Sequence, residues 1–295
     1  MKLYAPKYYK NFKCIADKCD HSCCVGWEID IDNDALDKYK KLDDAYGDVV
    51  KSSISTEGTP HFKLTLGERC PHLDERGLCK IILNYGEDCL CDICREHPRF
   101  YNYTNVAEVG LGMSCTEAAR VILSSPEYHD LIEIGEINVD EDFSPFDGRE
   151  PRREIYEIFA NTAYSYAEKL ETIYEKYSIN AGDDSDYRKI LDSLEYLDAD
   201  HKTLFMNYTS KAHPAGCDEY LERFLAYLIY RHCTEAFDED DFVDRLSFCL
   251  FCERLFASLI CSEEAKSLEE IATLGRIISE EIEYSDENTE SLMYW

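Results

Sequence analysis

Residues 12–29 read FKCIADKCDHSCCVGWEI, a short segment that contains Cys14, Cys19, Cys23 and Cys24. Two further groups follow it in the chain: Cys70 and Cys79 in ERCPHLDERGLCKI, then Cys89, Cys91 and Cys94 in EDCLCDICREHPRF. Short spacings let two thiolates converge on one ion from a single turn, and cysteines farther along the chain complete the coordination sphere. The cysteine pattern therefore predicts a fold organised around thiolate ligands.

The chain has 15 cysteines, and ten of them lie between residues 14 and 115. The start, MKLYAPKYYKNFK, has no signal-peptide stretch, and no apolar run approaches the roughly 20 residues that span a bilayer. We therefore expect a cytoplasmic protein, in which disulfides rarely persist. An odd number of cysteines also prevents complete pairing. We expect at least four cysteines to bind metal, and their spacing alone suits zinc and a [4Fe–4S] cluster equally well.

The charge of the chain restricts its partners. Lys and Arg total 31 and Asp and Glu total 61, which gives a net charge of −30. Such a surface repels phosphate backbones and anionic lipid headgroups, so we expect no nucleic-acid partner and no membrane partner. A basic protein partner suits the charge better. The hydrophobic fraction of 45% is that of an ordinary globular chain. The sequence does not indicate the oligomeric state.

Hydrophobic periodicity predicts a mostly α protein, with a cysteine-rich, metal-binding N-terminal module that has minor β-structure, followed by a helical bundle. We place the module at residues 1–134, a linker or surface loop at 135–152 and the bundle at 153–295. In the module we expect a helix at 34–42 capped by Asp34, strands at 61–66 and 100–109, and a helix after Cys115 capped by Ser114 or Thr116. The sequence leaves open whether the two strands pair. In the bundle we expect helices at 153–177, 186–197, 217–233, 240–261 and 265–283.

Five separated blocks of this sequence occur in an order typical of one protein family. They are the 14–27 segment CIADKCDHSCCVGW, Arg69-Cys70-Pro71 with Leu73, Gly77-Leu78-Cys79, Cys94-Arg95 with Pro98-Arg99, and Ser114-Cys115 with Glu117-Ala118-Ala119. In these motifs the chain resembles the flagellin lysine-N-methylases, part of the wider CxxCxxCC group of zinc- or iron-chelating proteins. The resemblance covers residues 8–120, and Thr116 stands where the family pattern leads us to expect proline.

The resemblance implies S-adenosylmethionine-dependent methylation of lysine amines on flagellin by a protein that carries a cysteine-bound iron–sulfur centre. The metal ligands that it implies are Cys14, Cys19, Cys23, Cys24, Cys70, Cys79, Cys94 and Cys115. Eight thiolates exceed the four of one [4Fe–4S] cluster, so some are structural or there are two sites. Cys89 and Cys91 have no counterpart in the expected pattern and are left out. Zinc is the alternative metal.

The sequence contains no recognisable motif for binding the methyl donor. The cysteine spacing differs from the Cys-x3-Cys-x2-Cys of radical enzymes, and the lone Gly110-Leu111-Gly112 lies in no βαβ unit. The catalytic residues and the S-adenosylmethionine pocket are therefore unknown. Tyr101, Tyr103 and Glu108 are candidates, by position alone, for a channel that receives lysine. The rival hypotheses are a non-catalytic zinc- or iron-binding module and an iron–sulfur electron carrier.

The remaining histidines and cysteines of interest have ordinary interpretations. His21, His72 and His97 lie beside cysteines, and we expect them to form hydrogen bonds or to be exposed more often than to bind metal. Cys249 and Cys252 lie three residues apart on one predicted helix. We expect these two, with Cys217, Cys233 and Cys261, to pack in the core as small apolar side chains.

Overall fold

The computed structural model describes residues 1–139, 146–180 and 182–294. Backbone contacts divide the chain into two compact units, which we name the insert unit (Lys13–Pro98) and the main unit (Met1–Phe12 with Arg99–Trp295). The insert unit therefore interrupts the sequence of the main unit. The sequence instead predicts a metal-binding module at 1–134, a linker at 135–152 and a helical bundle at 153–295. These domain boundaries differ from those of the two units and stay a prediction.

Helices dominate the described residues, which confirms the mostly α fold class with minor β-structure. The α-helices are α1 (Asn33–Lys40), α2 (Ala45–Ser53), α3 (Lys80–Tyr85), α4 (Asp92–Glu96), α5 (Thr116–Ser124), α6 (Arg149–Ala160), α7 (Tyr166–Lys176), α8 (Asp184–Ser193), α9 (Ala199–Phe205), α10 (Asp218–His232), α11 (Glu239–Ser262), α12 (Leu268–Ile278) and α13 (Asp286–Met293). The β-strands are β1 (Lys2–Pro6), β2 (Ile54–Ser55), β3 (His61–Phe62), β4 (Arg99–Tyr103), β5 (Ala107–Leu111) and β6 (Leu131–Glu136). None of these helices is long and apolar enough to cross a bilayer.

The main unit contains a four-stranded sheet in the order β4-β5-β1-β6. Strand β1 runs parallel to β5, with Leu3 opposite Ala107, and antiparallel to β6. The extended segment predicted at 100–109 is the antiparallel hairpin of β4 and β5. The strand predicted at 61–66 is shorter, and it pairs with β2 in the insert unit instead of with this hairpin. The N-terminal strand thus joins the two later parts of the main unit's sheet.

The single helix predicted at 153–177 is wrong, because two helices occupy this segment. Helix α6 ends at Ala160, and Ser165 begins α7 with a capping box: its hydroxyl accepts from the N–H of Glu168, while the Glu168 carboxylate accepts from the N–H of Ser165. This local cap outweighs a hydrophobic stripe that continues across the break. The predicted linker at 135–152 begins in β6 and ends in α6, and residues 140–145 lie outside the described residues.

Two predicted helix caps are also wrong. Helix α1 is capped two residues earlier than expected, because the carboxylate of Asp32 accepts the N–H of Ala35 at 2.8 Å. Helix α5 follows Cys115 directly, and within the described part of the chain the hydroxyls of Ser114 and Thr116 have no hydrogen-bond partner. Helices α9 and α13 were not predicted. Both begin at a capping Asp or Ser and have few apolar residues.

The helices α10, α11 and α12 supply most of the core of the main unit, and the rings of Phe224 and Phe256 stack there at 4.2 Å between centroids. Cys249 and Cys252 are fully buried in this core, as predicted, and Cys217 and Cys233 are also buried. Cys261 is exposed, contrary to expectation, because it lies in the last turn of α11.

A buried ion pair joins β5 to α6 in the main unit. The two terminal guanidinium nitrogens of Arg152, Nη1 and Nη2, donate to the carboxylate of Glu108 at 2.7 Å, and each residue is less than 4% exposed. The guanidinium also lies over the ring of Tyr230, 4.9 Å from its centroid. The carboxylate of Glu108, a sequence candidate for the lysine channel, is therefore engaged in fixing the fold.

Substitution of Arg152 by Met should lower the free energy of unfolding by about 3–5 kcal/mol, because it leaves the carboxylate of Glu108 buried without a counter-ion. Addition of Glu108→Gln to this variant should recover part of the loss. Urea unfolding measures both effects. Lys176→Met, which removes the exposed pair with Glu154, is the control and should cost less than about 1 kcal/mol. Equal costs for the two single substitutions would contradict the importance of the buried pair.

A second buried carboxyl predicts a dependence of stability on pH. Glu253 is 2% exposed in α11 and accepts a hydrogen bond from the Tyr166 hydroxyl at 2.9 Å. Burial raises the pKa of Glu253 from 4.5 to about 7, against the opposing effects of Tyr166 and Arg254. The folded state thus holds this proton more tightly than the unfolded state does. The stabilisation is complete below pH 4.5 and is lost as the pH rises through about 7.

We therefore expect the wild-type protein to lose about 3 kcal/mol relative to Glu253→Gln between pH 4.5 and pH 7. Glutamine keeps an acceptor for Tyr166 and does not titrate. Urea unfolding of both proteins at a series of pH values gives the difference directly. A difference that stays constant over this range would show that Glu253 titrates alike in the folded and unfolded states.

Candidate metal centre

Backbone pairing in the insert unit brings Cys24 beside Cys70. The N–H of Cys70 donates to the carbonyl of Cys24 at 2.8 Å, and the N–H of Gly26 donates to the carbonyl of Glu68 at 3.1 Å. Gly26 has φ +94°, a conformation that glycine adopts without strain. Two parts of the sequence that are far apart are thus aligned with their cysteines on neighbouring strands of chain.

A turn between Cys70 and Cys79 brings these two cysteines together as well. The carboxylate of Asp74 accepts the N–H groups of Arg76 and Leu78, both at 2.9 Å. Leu73 and Cys79 then form an isolated β-bridge. Cys79 immediately precedes α3, and the N–H groups of that first turn lower the pKa of its thiol, although burial raises it overall. The first turn of α3 therefore directs backbone N–H groups at the sulfur of Cys79, a potential thiolate.

A side-chain-to-backbone hydrogen bond at the start of α4 positions Cys91 and Cys94. Helix α4 begins directly after Cys91, and one carboxylate oxygen of Asp32 accepts the N–H of Asp92 at 2.7 Å. The other oxygen caps α1 through Ala35. Asp32 therefore ties the start of α1 to the start of the Cys91-x2-Cys94 turn.

The thiols of five cysteines lie near one another in the core of the insert unit, and we name this set the thiol cluster: Cys24, Cys70, Cys79, Cys91 and Cys94. Burial, with smaller contributions from Cys24, Cys79 and Cys91, raises the pKa of Cys70 to about 12. The thiol of Cys94 hydrogen-bonds to the sulfur of Cys91, which raises the pKa of Cys94 and lowers that of Cys91. The cluster thus concentrates sulfur in a site that is partly shielded from water.

The electrostatics of Cys24 differ from those of the other members. A hydrogen bond from Cys23 lowers the pKa of Cys24 to about 7, with help from the hydroxyl of Ser22 and the charge of Arg69, although burial opposes the shift. At neutral pH this thiol is therefore partly ionised. A thiolate is the form that binds metal.

The donor set of the thiol cluster suits a thiophilic metal or an iron–sulfur cluster in kind. Backbone N–H groups of His72, Ile81 and Ile82 point at its sulfurs, and such donors stabilise thiolates. Within residues 1–139, 146–180 and 182–294, however, no three His, Cys, Asp or Glu side chains are arranged so that they hold a metal ion. The sulfur atoms are gathered in one core without being set in a coordination geometry.

The eight cysteines predicted as ligands are divided by the structure. Cys24, Cys70, Cys79 and Cys94 belong to the thiol cluster. Cys14 and Cys23 are exposed, and the thiol of Cys19 donates to the carbonyl of His21 at 2.9 Å. Cys115 is in the main unit, directly before α5. Cys91, which we left out, lies in the cluster, and the Cys-x2-Cys spacing of Cys91 and Cys94 is the signal that would have found it.

His72 has no free ring nitrogen for a metal. Its Nδ1 lies 2.9 Å from the Tyr46 hydroxyl and its Nε2 lies 2.9 Å from the Ser53 hydroxyl. The side chain is fully buried, and burial lowers its pKa to about 4, so the ring is neutral. His72 therefore supports the insert unit as a hydrogen-bonded core residue, in agreement with the ordinary interpretation.

The remaining sequence candidates lie in the hairpin of β4 and β5. The rings of Tyr101 and Tyr103 stack on one face of β4, 6.2 Å apart between centroids. Gly110 lies in β5, where a Cβ atom would clash with the ring of Phe100. Gly110 thus serves the packing of the antiparallel hairpin, while Gly112 begins the short connection from β5 to α5.

Comparison with known proteins gives three related matches. The chain is 30% identical over 131 residues to the flagellar biosynthetic protein FliU of Salmonella muenchen, which covers 41% of this chain and 77% of that protein. It is 29% identical over 131 residues to lysine-N-methylases of Salmonella choleraesuis and Salmonella typhimurium, which covers 41% of this chain and 32% of each of those proteins. No protein-family model and no solved structure matches. By its extended similarity to FliU, the chain belongs to the family of FliU and the flagellin lysine-N-methylases.

Proposed function

We propose that this protein transfers methyl groups from S-adenosylmethionine to lysine side chains of flagellin, and that it does so in the reducing cytoplasm. The observation that carries the proposal is the alignment with two proteins named lysine-N-methylase, supported by a relative named for flagellar biosynthesis. Since the alignment covers about a third of each named methylase, the reaction and its substrate are inferences for this chain.

We further propose that the thiol cluster holds a [4Fe–4S] cluster, with zinc as the alternative. Four of its five cysteines satisfy one such cluster, and Cys91 and Cys94 are the two members of the thiol cluster that lie closest together in the sequence. When bound, the metal group supplies a fixed, charged centre that holds the insert unit in shape. Cys14, Cys19 and Cys23 remain candidates for a second site within the insert unit, and Cys115, in the main unit, remains a predicted ligand by resemblance alone.

Lysine presents the main chemical obstacle to methyl transfer, because its amine is protonated at neutral pH, with a pKa of about 10.4, and only the neutral amine attacks. A receiving channel must desolvate the amine. The stacked rings of Tyr101 and Tyr103 are suitable for the approach of a lysine, because aromatic faces attract ammonium groups. Nearby, the carboxylate of Glu235 accepts the N–H of Tyr103 at 2.6 Å. This surface would select a basic side chain before the amine loses its proton.

A second candidate function is that of a non-catalytic metal-binding module or electron carrier. The observation in its favour concerns the methyl donor: Gly110, the first glycine of the sequence that we weighed as a nucleotide turn, packs against the ring of Phe100 inside a hairpin. A reversible redox step in the visible spectrum, without methyl transfer, would favour the electron carrier.

The proposed centre predicts different results for two neighbouring cysteines. Cys91→Ser should lower the bound iron and acid-labile sulfide, which we expect at about four each per chain in the wild-type protein purified without oxygen. Cys89→Ser is the matched control, since Cys89 is 8% exposed in the same core but its neighbouring charges do not include the cluster thiols. It should keep the metal. Equal loss in both variants would indicate unfolding of the insert unit in place of a lost ligand.

The activity is tested separately, with labelled S-adenosylmethionine and a flagellin. The wild-type protein with its metal should transfer label to lysines of flagellin, and Cys261→Ser should do so equally well because this thiol is exposed in the last turn of α11. Zinc without sulfide would replace the iron–sulfur proposal with a structural metal. A metal-loaded protein that transfers no label would contradict the methylase proposal and favour the non-catalytic module.

A further inference from the structure

The hydroxyl of Tyr39 is a buried donor without an acceptor. Tyr39 lies in α1 and is fully buried in the core of the insert unit, with its ring 5.8 Å from that of Phe62. Of the residues that the structure describes, none forms a hydrogen bond with this hydroxyl. A buried polar group left without a partner costs about 1–3 kcal/mol, so its retention needs an explanation.

Two members of the thiol cluster, Cys91 and Cys94, act on this hydroxyl, and so does Cys89, which is not a member. Burial is the main reason that the pKa of the Tyr39 phenol is raised, and Cys91, Cys89 and Cys94 contribute in the same direction, in that order. The N–H of Cys91 also approaches the hydroxyl oxygen without completing a hydrogen bond. The hydroxyl proton is therefore next to sulfur that, as a thiol, is a weak acceptor.

We propose that Tyr39 is an outer-sphere donor to the metal centre: its hydroxyl donates to the sulfur of Cys91 once that sulfur is a metal-bound thiolate. The inference rests on the proposed thiolate centre and adds a residue that orients and tunes one ligand. A charged acceptor forms a stronger hydrogen bond than a neutral one, so the hydroxyl is satisfied only in the metal-bound protein. Such outer partners of metal ligands commonly change metal affinity by 10- to 100-fold.

Helix α1 contributes a second contact that makes this role physically reasonable. Asp32, at its start, holds the backbone of Asp92 at 2.7 Å, so the helix that carries Tyr39 is fixed to the turn that carries Cys91 and Cys94. The donor and its acceptor therefore belong to one rigid arrangement. A donor fixed in this way forms its hydrogen bond without losing side-chain freedom when metal binds.

The inference predicts an unusual pair of effects for Tyr39→Phe. The metal-free protein should be no less stable than the wild type, because the substitution removes a donor that has no acceptor there. The Tyr39→Phe variant should bind Co²⁺ about 10- to 100-fold more weakly than the wild type. Its sulfur-to-cobalt absorption band should move to lower energy, because a thiolate that accepts no hydrogen bond gives up its electron more readily.

The experiment uses the full chain, stripped of metal under reducing conditions and titrated with Co²⁺, with Zn²⁺ competition to measure affinity. Tyr46→Phe is the matched control in the same unit, since its hydroxyl is already satisfied by His72 at 2.9 Å. That variant should lose stability with and without metal and should keep the position of the absorption band. Urea unfolding of the metal-free proteins completes the comparison.

Three results would overturn the inference. Equal Co²⁺ affinity and an unchanged band in Tyr39→Phe would show that the hydroxyl does not contact a ligand. A metal-free Tyr39→Phe protein that is destabilised as much as Tyr46→Phe would show that the hydroxyl has another partner. Absence of any thiolate-to-cobalt band in the wild-type protein would remove the proposed centre itself, and with it the role of Tyr39, whatever the outcome of the methylation assay.

Discussion

The interior of the insert unit is built around sulfur. Cys70, Cys89 and Cys91 lie in a core that otherwise contains a small number of aliphatic and aromatic side chains, and the other members of the thiol cluster pack against it. A unit of fewer than about 100 residues buries a limited apolar area and commonly relies on metal or disulfides. Bringing these thiols together costs desolvation that metal ligation would offset, because the free energy of binding is then also free energy of folding.

Backbone geometry, more than side-chain contacts, positions this sulfur. Three separate turns, each with its own capping carboxylate or positive-φ glycine, place cysteines at the beginning of short helices or on paired strands. The two carboxylate oxygens of Asp32 accept the N–H groups of Ala35 and Asp92. One oxygen of Asp74 accepts the N–H groups of Arg76 and Leu78. Short helices and turns of this kind have weak periodicity, which is why the sequence indicates the cysteines clearly and their surroundings poorly.

The long helices of the main unit could be predicted from sequence because their apolar stripes are continuous. Helices α10 and α11 fall within a residue or two of their predicted bounds. The break between α6 and α7 was missed because one capping box decides it, and the early start of α1 was missed because two aspartates near the site could each cap. Cys91 lies in the thiol cluster, as its Cys-x2-Cys spacing with Cys94 suggests, whereas the family pattern leaves it out; which cysteines are ligands stays a prediction. The orphaned hydroxyl of Tyr39 has no sequence signal at all, since one core tyrosine cannot be told from another without its neighbours.

The placement of β1 has a consequence for the order in which the protein is made. This strand precedes the insert unit in the chain, yet its parallel partner β5 and its antiparallel partner β6 follow the whole of that unit. During synthesis, β1 therefore has no strand to pair with until the cysteine-rich insert unit has been made. The guanidinium of Arg99, just after the insert, then meets the hydroxyl of Tyr9, just before it, at 2.8 Å. Closure of the main unit is thus delayed until the insert has been completed, and any metal that the insert takes up can be loaded before the rest of the fold exists.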